Sequence, residues 1–460
     1  MRAVLLVLAI LSAIALRPTT TAAAVVPVGP EFRVNETDTR SGWLVDIATS
    51  PERGFVVVFG DRERHGARET YIRGRRFGPR GEPLGSSFRI DSRRPADLRG
   101  SCCPAVATDA SGAFAVAWSW DDHQVLFRRF DADGGRLGGE RDVNPEVKES
   151  AVFADAAMWP DGRFVVVWDG GGRLSKARVF DATGHQLTDV ISIDSDHGGA
   201  NFSPRVARRA DGGFVSAWFN FEYGVAARNI GRIYQSDGKP RGSAFVIDST
   251  ISGYLSSPSI AGAADDGFVV SWTRRESADD PGGIYARRFD ARGRPNGPVL
   301  TVGTRTEGIV GLTDVGLLPD GGFVVVWGEH NVLNPEIRGR EFGPDGSARS
   351  EVFQVSATGG SDYPAVATDA DGDFVVVWSV LAGTMAQRFT TSPICGDSDG
   401  DDESTATDAL VALHAAIGLA DCALCLCDTS GNRSTSATDA LLILRHGTGE
   451  GVSFACPACS

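Results

Sequence analysis

Ten side chains near the end of the chain are spaced so that two short segments could each wrap a metal ion. Asp397, Asp399, Asp401, Glu403 and Asp408 stand at positions 1, 3, 5, 7 and 12 of the first segment. Asp428, Ser430, Asn432, Ser434 and Asp439 take the same positions of a second, 31 residues further on. All of them offer oxygen. Calcium is a hard cation that needs six to eight oxygens, which side chains at positions 1, 3, 5 and 12 and the backbone carbonyl at position 7 can supply from one turn of chain. Calcium is therefore the expected cofactor. The first loop has four carboxylates at its side-chain positions and the second two, so the first is expected to bind more tightly and the second weakly or not at all.

Each loop runs into an expected helix, at Thr407-Asp408-Ala409-Leu410 and at Thr438-Asp439-Ala440-Leu441. Leu410, Leu413 and Ile417 share one helical face, as do Leu441 and Leu444, and Gly418 and Gly447 suit the C-terminal stops. Six of the eight cysteines (Cys395, Cys422, Cys425, Cys427, Cys456, Cys459) crowd into this same tail. In an exported chain they read as disulfides stapling a domain too small to bury much core. Six cysteines allow 15 pairings, and the sequence does not choose among them. Zinc is the competing reading, because Cys422-x2-Cys425 and Cys456-x2-Cys459 have ligand-like spacing. The remaining two, Cys102 and Cys103, are adjacent and are expected on a loop as a candidate vicinal disulfide.

Two tandem calcium-loop-plus-helix repeats with Asp at position 12, at the C-terminus of an exported protein, resemble the dockerin domain of polysaccharide-degrading bacteria. The likeness spans residues from about 395 to 446. It implies that the helix starts at Ala406-Thr407 and Ala437-Thr438 face a cohesin-type receptor protein, and that a polysaccharide-degrading assembly is the setting. The sequence departs from the calcium-loop pattern at position 6, where Asp402 and Arg433 replace the usual glycine, with Gly400 and Gly431 at position 4 instead. The cysteines are not part of the usual dockerin pattern either.

Upstream, the organisation is repetitive. A Gly-x-Phe-Val-Val-Val-Trp block recurs with its Phe at Phe55, Phe114, Phe164, Phe214, Phe268, Phe323 and Phe374, at intervals of 59, 50, 50, 54, 55 and 51 residues. Both faces of the strand it predicts are apolar, as in a strand buried on both sides. Each copy carries four strand signals: a Pro-Ala-Val-Ala type segment (Pro104 to Ala107, Pro364 to Ala367), the Phe/Trp strand after an Asp/Gly turn, a strand ending at Phe77, Phe130, Phe180, Tyr234, Phe289, Phe342 or Phe389, and a short apolar strand such as Phe245-Val246-Ile247. Four strands at a period near 53 residues predict propeller blades; an open solenoid is the alternative. The seventh copy lacks its fourth strand, and Glu31-Phe32-Arg33-Val34, before the first copy, is an unattached fourth-strand sequence. The N-terminus is thus expected to complete the last blade and remove two exposed edges. The predicted class is mainly β: a seven-bladed β-propeller of four-stranded blades plus a small α-helical, dockerin-like, calcium-binding domain.

Arg2 followed by an apolar run from Ala3 to Leu16 and small residues Ala22-Ala23-Ala24 reads as a cleaved bacterial signal peptide. The run is too short to cross a bilayer. The expected divisions are 1–24 signal peptide, 25–392 propeller and 393–460 disulfide-rich module, with the mature chain secreted or held at the cell surface and no membrane span in it. A net charge of −14 argues against a nucleic-acid partner, whose phosphates call for a basic surface. Other chemical signals weigh little. Gly396-Asp397-Ser398-Asp399-Gly400 has the Gly-x-Ser-x-Gly form of a hydrolase nucleophile elbow, but its flanking carboxylates suit a metal loop better. His65, His123, His185, His197, His330, His414 and His446 show no ligand spacing. Asp369, Asp371 and Asp373 read as a turn rather than a further calcium loop. The recurring third-strand arginines suit either a face for acidic glycans or a solvated surface. No catalytic residue is assigned. The leading expectation is a propeller that binds a polysaccharide, glycan or protein and is tethered by a calcium-dependent docking module; the alternatives are a tethered glycoside hydrolase or lyase, and a surface adhesion or scaffold protein.

Overall fold

The computed structural model describes residues 25–36, 41–50, 54–61, 70–92, 101–120, 124–145, 151–171, 174–194, 198–251, 253–277, 280, 282–304, 309–330, 335–357, 362–391, 394–400 and 403–457. The proposed signal peptide, Asp401, Asp402, Cys459, His65, His123 and His197 lie outside the described residues.

Each Phe/Trp block forms the second strand of a four-stranded antiparallel blade, and seven such blades form a propeller. Blade 2 is representative, with strands Ser101–Thr108, Phe114–Trp120, Gln124–Phe130 and Arg141–Asp142 paired in that order. Trp118, Trp168, Trp218, Trp272, Trp327 and Trp378 are fully buried between blades, with Phe59 in the same place in blade 1. The recurrence of an aromatic at the end of the third strand has a direct cause. It stacks on the Phe that begins the second strand, at 5.0 Å for Phe55 and Phe77, 4.8 Å for Phe214 and Tyr234, and 5.0 Å for Phe374 and Phe389, within the favoured range for offset rings. The Asp/Gly turn between first and second strands is closed by side chain as well as backbone: Asp369 Oδ1 accepts the N–H groups of Asp371 at 3.1 Å and Asp373 at 2.9 Å. That cluster is a turn.

The ring closes as expected. Val26–Arg33 pairs antiparallel with Gly383–Thr390, so that the N-terminal strand is the fourth of blade 7. It begins five residues before the Glu31-Phe32-Arg33-Val34 sequence and is bulged between Val28 and Phe32. In blade 5 the first strand is split into Tyr254–Leu255 and Ser259–Gly262.

The third-strand arginines join neighbouring blades. Arg75 Nη1 donates to Val34 O at 2.9 Å, Arg178 Nη1 to Val143 O at 2.8 Å, Arg232 Nη1 to Asp194 O at 3.3 Å and Arg340 Nη1 to Val302 O at 3.1 Å, each acceptor lying at the fourth strand of the preceding blade; Arg128 reaches Ile90 O in the same way. Both sequence readings of these residues need correction, since a guanidinium spent on a neighbouring carbonyl is neither a solvated ornament nor a free anion receptor.

Beyond the propeller lie three helices, α1 (Ala406–Ala416), α2 (Leu424–Cys427) and α3 (Ala437–Gly447). Helices α1 and α3 pack through Ala409, Ala412, Ala440 and Ile443, with Cys427 between them. The small residues allow close approach. The expected leucine stripe therefore faces outward: Leu410 is 52% and Leu441 54% exposed, with Leu413, Leu444 and Ile417 exposed beside them.

Candidate functional site

Among the described residues, two places gather functional groups: the first calcium-type loop of the tail and the mouth of the propeller channel.

In the first loop, one oxygen each from Asp397, Asp399 and Asp408 lies within 4.8 Å of the others. Asp408 ties the loop to α1. Its Oδ1 accepts from Ser398 N at 2.8 Å and Asp399 N at 3.0 Å, while Oδ2 accepts from Thr405 N at 2.7 Å and Thr405 Oγ1 at 3.1 Å. Asp at position 12 is thus also the N3 residue of a capping box. Asp399 Oδ1 is buried and has no hydrogen-bond partner. Burial, and then the neighbouring charge of Asp408, push the Asp399 carboxyl above its ordinary range. Crowded hard oxygens, one of them unsatisfied, fit a divalent cation such as calcium. Ser398 is buried with its hydroxyl on Asp408 O at 2.8 Å, so the Gly-x-Ser-x-Gly match is a loop residue and not an elbow. Glu403 is exposed.

The second loop repeats the framework with less charge. Asp439 Oδ1 accepts from Ser430 N at 2.8 Å and its Oδ2 from Ser436 N at 2.9 Å, closing the capping box of α3. Against the penalty of burial, hydrogen bonds from Ser436 and Ser430 hold its carboxyl below the ordinary range. Asp428 is fully buried and accepts from Ser430 Oγ, Asn432 N and Arg433 N. Arg433 adopts the left-handed backbone, φ +66°, expected of a glycine at position 6, and Gly431 at position 4 does too, φ +72°. Ser434 and Asn432 are exposed, as are the four helix-start residues Ala406, Thr407, Ala437 and Thr438.

Disulfides join Cys395 to Cys456 and Cys422 to Cys427, and Cys425 is disulfide-bonded as well. Bonded sulfurs leave no thiolates at Cys422, Cys425 or Cys456, which removes the zinc reading. The module also touches the propeller. Arg388 donates to Asp399 O at 2.9 Å and Gly400 O at 3.2 Å, and Arg80 pairs with Asp399 Oδ2 at 3.5 Å. A Cβ on Gly400 (φ +71°) would stand 2.7 Å from Val28 of the N-terminal strand, so only glycine allows this contact.

At the channel, the seven first strands pack side by side in a ring. Six are bulged near their start, between Ser41 and Val45, Cys102 and Ala105, Val152 and Asp155, Phe202 and Arg205, Val310 and Thr313, and Asp362 and Ala365. The bulge puts Cys103, Phe153, Ser203 and Tyr363, at equivalent positions of blades 2, 3, 4 and 7, in the left-handed region at φ +59°, +52°, +48° and +53°. Cys102 and Cys103 form the vicinal disulfide. They sit at the bulge of an inner strand, Ser101–Thr108, and not on a loop as expected.

Two residues further along come Asp46, Ala105, Asp155, Arg205, Ser259, Asp314 and Ala365. Three of these carboxylates cross to the next blade: Asp46 Oδ2 accepts from Val106 N at 2.7 Å, Asp155 Oδ2 from Val206 N at 2.8 Å and Asp314 Oδ2 from Val366 N at 2.8 Å. Burial, followed by the charge of Asp155, pushes Asp46 up to about 8; burial likewise raises Asp155 and Asp314. Arg205 Nη1, 3.9 Å from Asp155 Oδ1, is the cation among them. The pH consequence has a definite sign. The folded Asp46 holds its proton to higher pH than the ordinary value of 3.8, so its stabilising contribution is complete below that value and is lost as pH rises through about 8. Asp46→Asn should melt progressively higher relative to the native protein as pH is raised from the acid side through neutrality; an offset independent of pH would contradict this.

Of these channel residues, sequence singled out Cys102 and Cys103, as a candidate vicinal disulfide, but not the ring of Asp46, Asp155, Arg205 and Asp314. The signal available was an Asp three residues before each of Thr49 and Leu317, visible only once the strands are in register.

No protein family matches the chain, and no curated protein does. Solved structures do. An ulvan lyase of a polysaccharide lyase family, bound to -[GlcA(1-4)Rha3S]-, superposes with a TM-score of 0.52 at 9% identity, covering 78% of this chain and 95% of that one. A protein of unknown function from Dyadobacter fermentans gives 0.47 at 11% identity over 79% of this chain and 98% of that one, and a fucose-specific lectin from Aleuria aurantia 0.41 at 12% over 62% and 89%. At 9% identity the likeness to the ulvan lyase shows the propeller fold alone.

Proposed function

We propose that the chain is an exported calcium-binding protein whose propeller takes a carbohydrate ligand and whose tail is a dockerin-like docking module, working within a polysaccharide-degrading assembly. The observation that carries the docking half is the combination, in one small module, of the Asp397, Asp399 and Asp408 oxygens with two like-facing helices that expose leucines. Calcium would be held by these three residues together with Asp401, and by Asp428 and Asp439 more weakly in the second loop. It would supply the central charge that fixes the loops, and with them the angle at which α1 and α3 present Ala406, Thr407, Ala437, Thr438 and the outward leucines to a cohesin-type receptor. Exposed apolar stripes of this kind mark protein interaction sites. The carbohydrate half is supported by the fold shared with the ulvan lyase and by the strained channel mouth.

Capture of secreted proteins from the producing culture on the full-length chain tests the docking half. A cohesin-type partner retained with calcium and released by EGTA is expected, with release also on Leu410→Asp combined with Leu441→Asp. Retention that ignores both chelation and the substitutions would defeat it. The alternative of a tethered hydrolase or lyase predicts new reducing ends from a bound polysaccharide; binding without cleavage favours a ligand-binding propeller.

A further inference from the structure

Strained backbone recurs at the channel mouth in neighbouring blades of the propeller. Three consecutive blades, 2 to 4, carry the left-handed residues Cys103, Phe153 and Ser203, with Tyr363 in blade 7 as a fourth, a backbone region that is unfavourable for residues other than glycine and clusters at ligand sites. Beneath those bulges, Ser119, opposite Cys102, and Asp169, opposite Val152, are both nine-tenths or more buried. Burial raises Asp169 to about 7 even though Ser203 and Ser175 hydrogen-bond to its carboxyl, and Ser119 Oγ has no hydrogen-bond partner. Buried polar atoms are rarely left in this condition without a functional reason. Above them Phe153 is 46% exposed, Phe202 on the next blade is exposed too, and the Cys102–Cys103 pair is half-buried. Arg205 and Asp155 line the channel just below, with side chains 38% and 15% exposed.

Rigid apolar faces beside hydroxyl- and carboxylate-bearing groups suit a pyranose, which offers a C–H face on one side and hydroxyls at its edge. The charge inventory restricts the sugar further. Asp46, Asp155 and Asp314 feel one another's charge, and among the described residues Arg205 is the cation that faces them from the same ring. Burial already pushes these carboxyls toward their protonated form, and a uronate, sialate or sulfate brought among them would press further that way while finding Arg205 already paired with Asp155.

We propose that the sector of the channel mouth formed by the Cys102–Cys103 disulfide, Phe153, Phe202 and Ser203, over Asp155 and Arg205, binds a neutral sugar residue and rejects acidic ones. This deepens the carbohydrate reading above and rests on it. The disulfide and Phe153 take the apolar face of the ring; Asp155 accepts from its hydroxyls and Arg205 donates to them. In the oxidised protein the two sulfurs form one rigid plate there.

The test applies the oxidised full-length chain to a printed array of neutral oligosaccharides (terminating in glucose, galactose, mannose, xylose or fucose) and acidic ones (sialylated, uronic or sulfated), followed by titration of the best ligand. A neutral ligand is expected, bound roughly ten-fold or more weakly by Phe153→Ala, a loss in keeping with one aromatic contact, and restored by Phe153→Trp, with the melting temperature unchanged in both. Cys102→Ser combined with Cys103→Ser should weaken it likewise. A neutral ligand whose affinity ignores all these changes overturns this site and leaves the carbohydrate reading standing. A preference for acidic sugars overturns the selectivity. Binding to no sugar overturns both.

Discussion

Removal of residues 25–34 is expected to abolish the cooperative unfolding of the propeller and send the protein into soluble aggregates on size exclusion. That segment supplies the fourth strand of blade 7, and Val26, Val28 and Val34 in it are almost wholly buried. Burial of a valine contributes about 1.5–3 kcal/mol, so three of them approach the net stability of many whole domains. The loss goes beyond burial. Gly383–Thr390 would become an open edge beside a strand of high β-propensity, Arg75 would lose its acceptor at Val34 O, and Asn35, which accepts from Thr384 N at 2.8 Å, would lose its anchoring strand. A truncated chain that stays monomeric and melts as the native one does would show that the ring does not depend on its N-terminal closure.

Asp408→Ala is expected to remove the tighter calcium site and to destabilise the tail module by roughly 3 kcal/mol or more, since it leaves the N–H groups of Ser398, Asp399 and Thr405 without the carboxylate they share. Asp439→Ala should destabilise α3 in a similar way through Ser430 and Ser436 while leaving the tighter site in place. Titration calorimetry on the two variants separates these effects. Two equal sites in the native protein, or a tight site that survives Asp408→Ala, would contradict the assignment of the first loop.

The propeller was legible in the sequence because its signals are local and repeated: a Phe that begins each second strand, a Trp four residues on, and an aromatic that ends each third strand and stacks back on the first. The missing fourth strand of the last repeat and the surplus one before the first showed where the ring would close. Contacts between blades were not legible. Arg178 and Val143 O, or Asp46 and Val106 N, are partners only because separate repeats lie side by side, and no local pattern marks them. The bulged mouth was hidden for another reason: Cys103, Phe153, Ser203 and Tyr363 adopt a backbone that usually announces itself through glycine, and they share no residue type. In the tail, loop spacing and helix starts could be read directly, but the face that packs could not. The leucines made the more apolar stripe, yet α1 and α3 meet through Ala409, Ala412 and Ala440, where short side chains let the helices approach. Cysteine pairing needed the fold, since Cys395 meets Cys456 across a separation of 61 residues.

Amide hydrogen exchange of the oxidised full-length protein, measured with calcium and again with EGTA, bears most directly on whether a cation bound by Asp397, Asp399 and Asp408 orders the helices beside it. Amides of α1, and to a smaller extent α3, should exchange markedly faster after chelation while the blades keep their protection. Identical protection of both helices in the two conditions would mean that the loops hold their shape by hydrogen bonds and disulfides alone, and that calcium has no part in the tail.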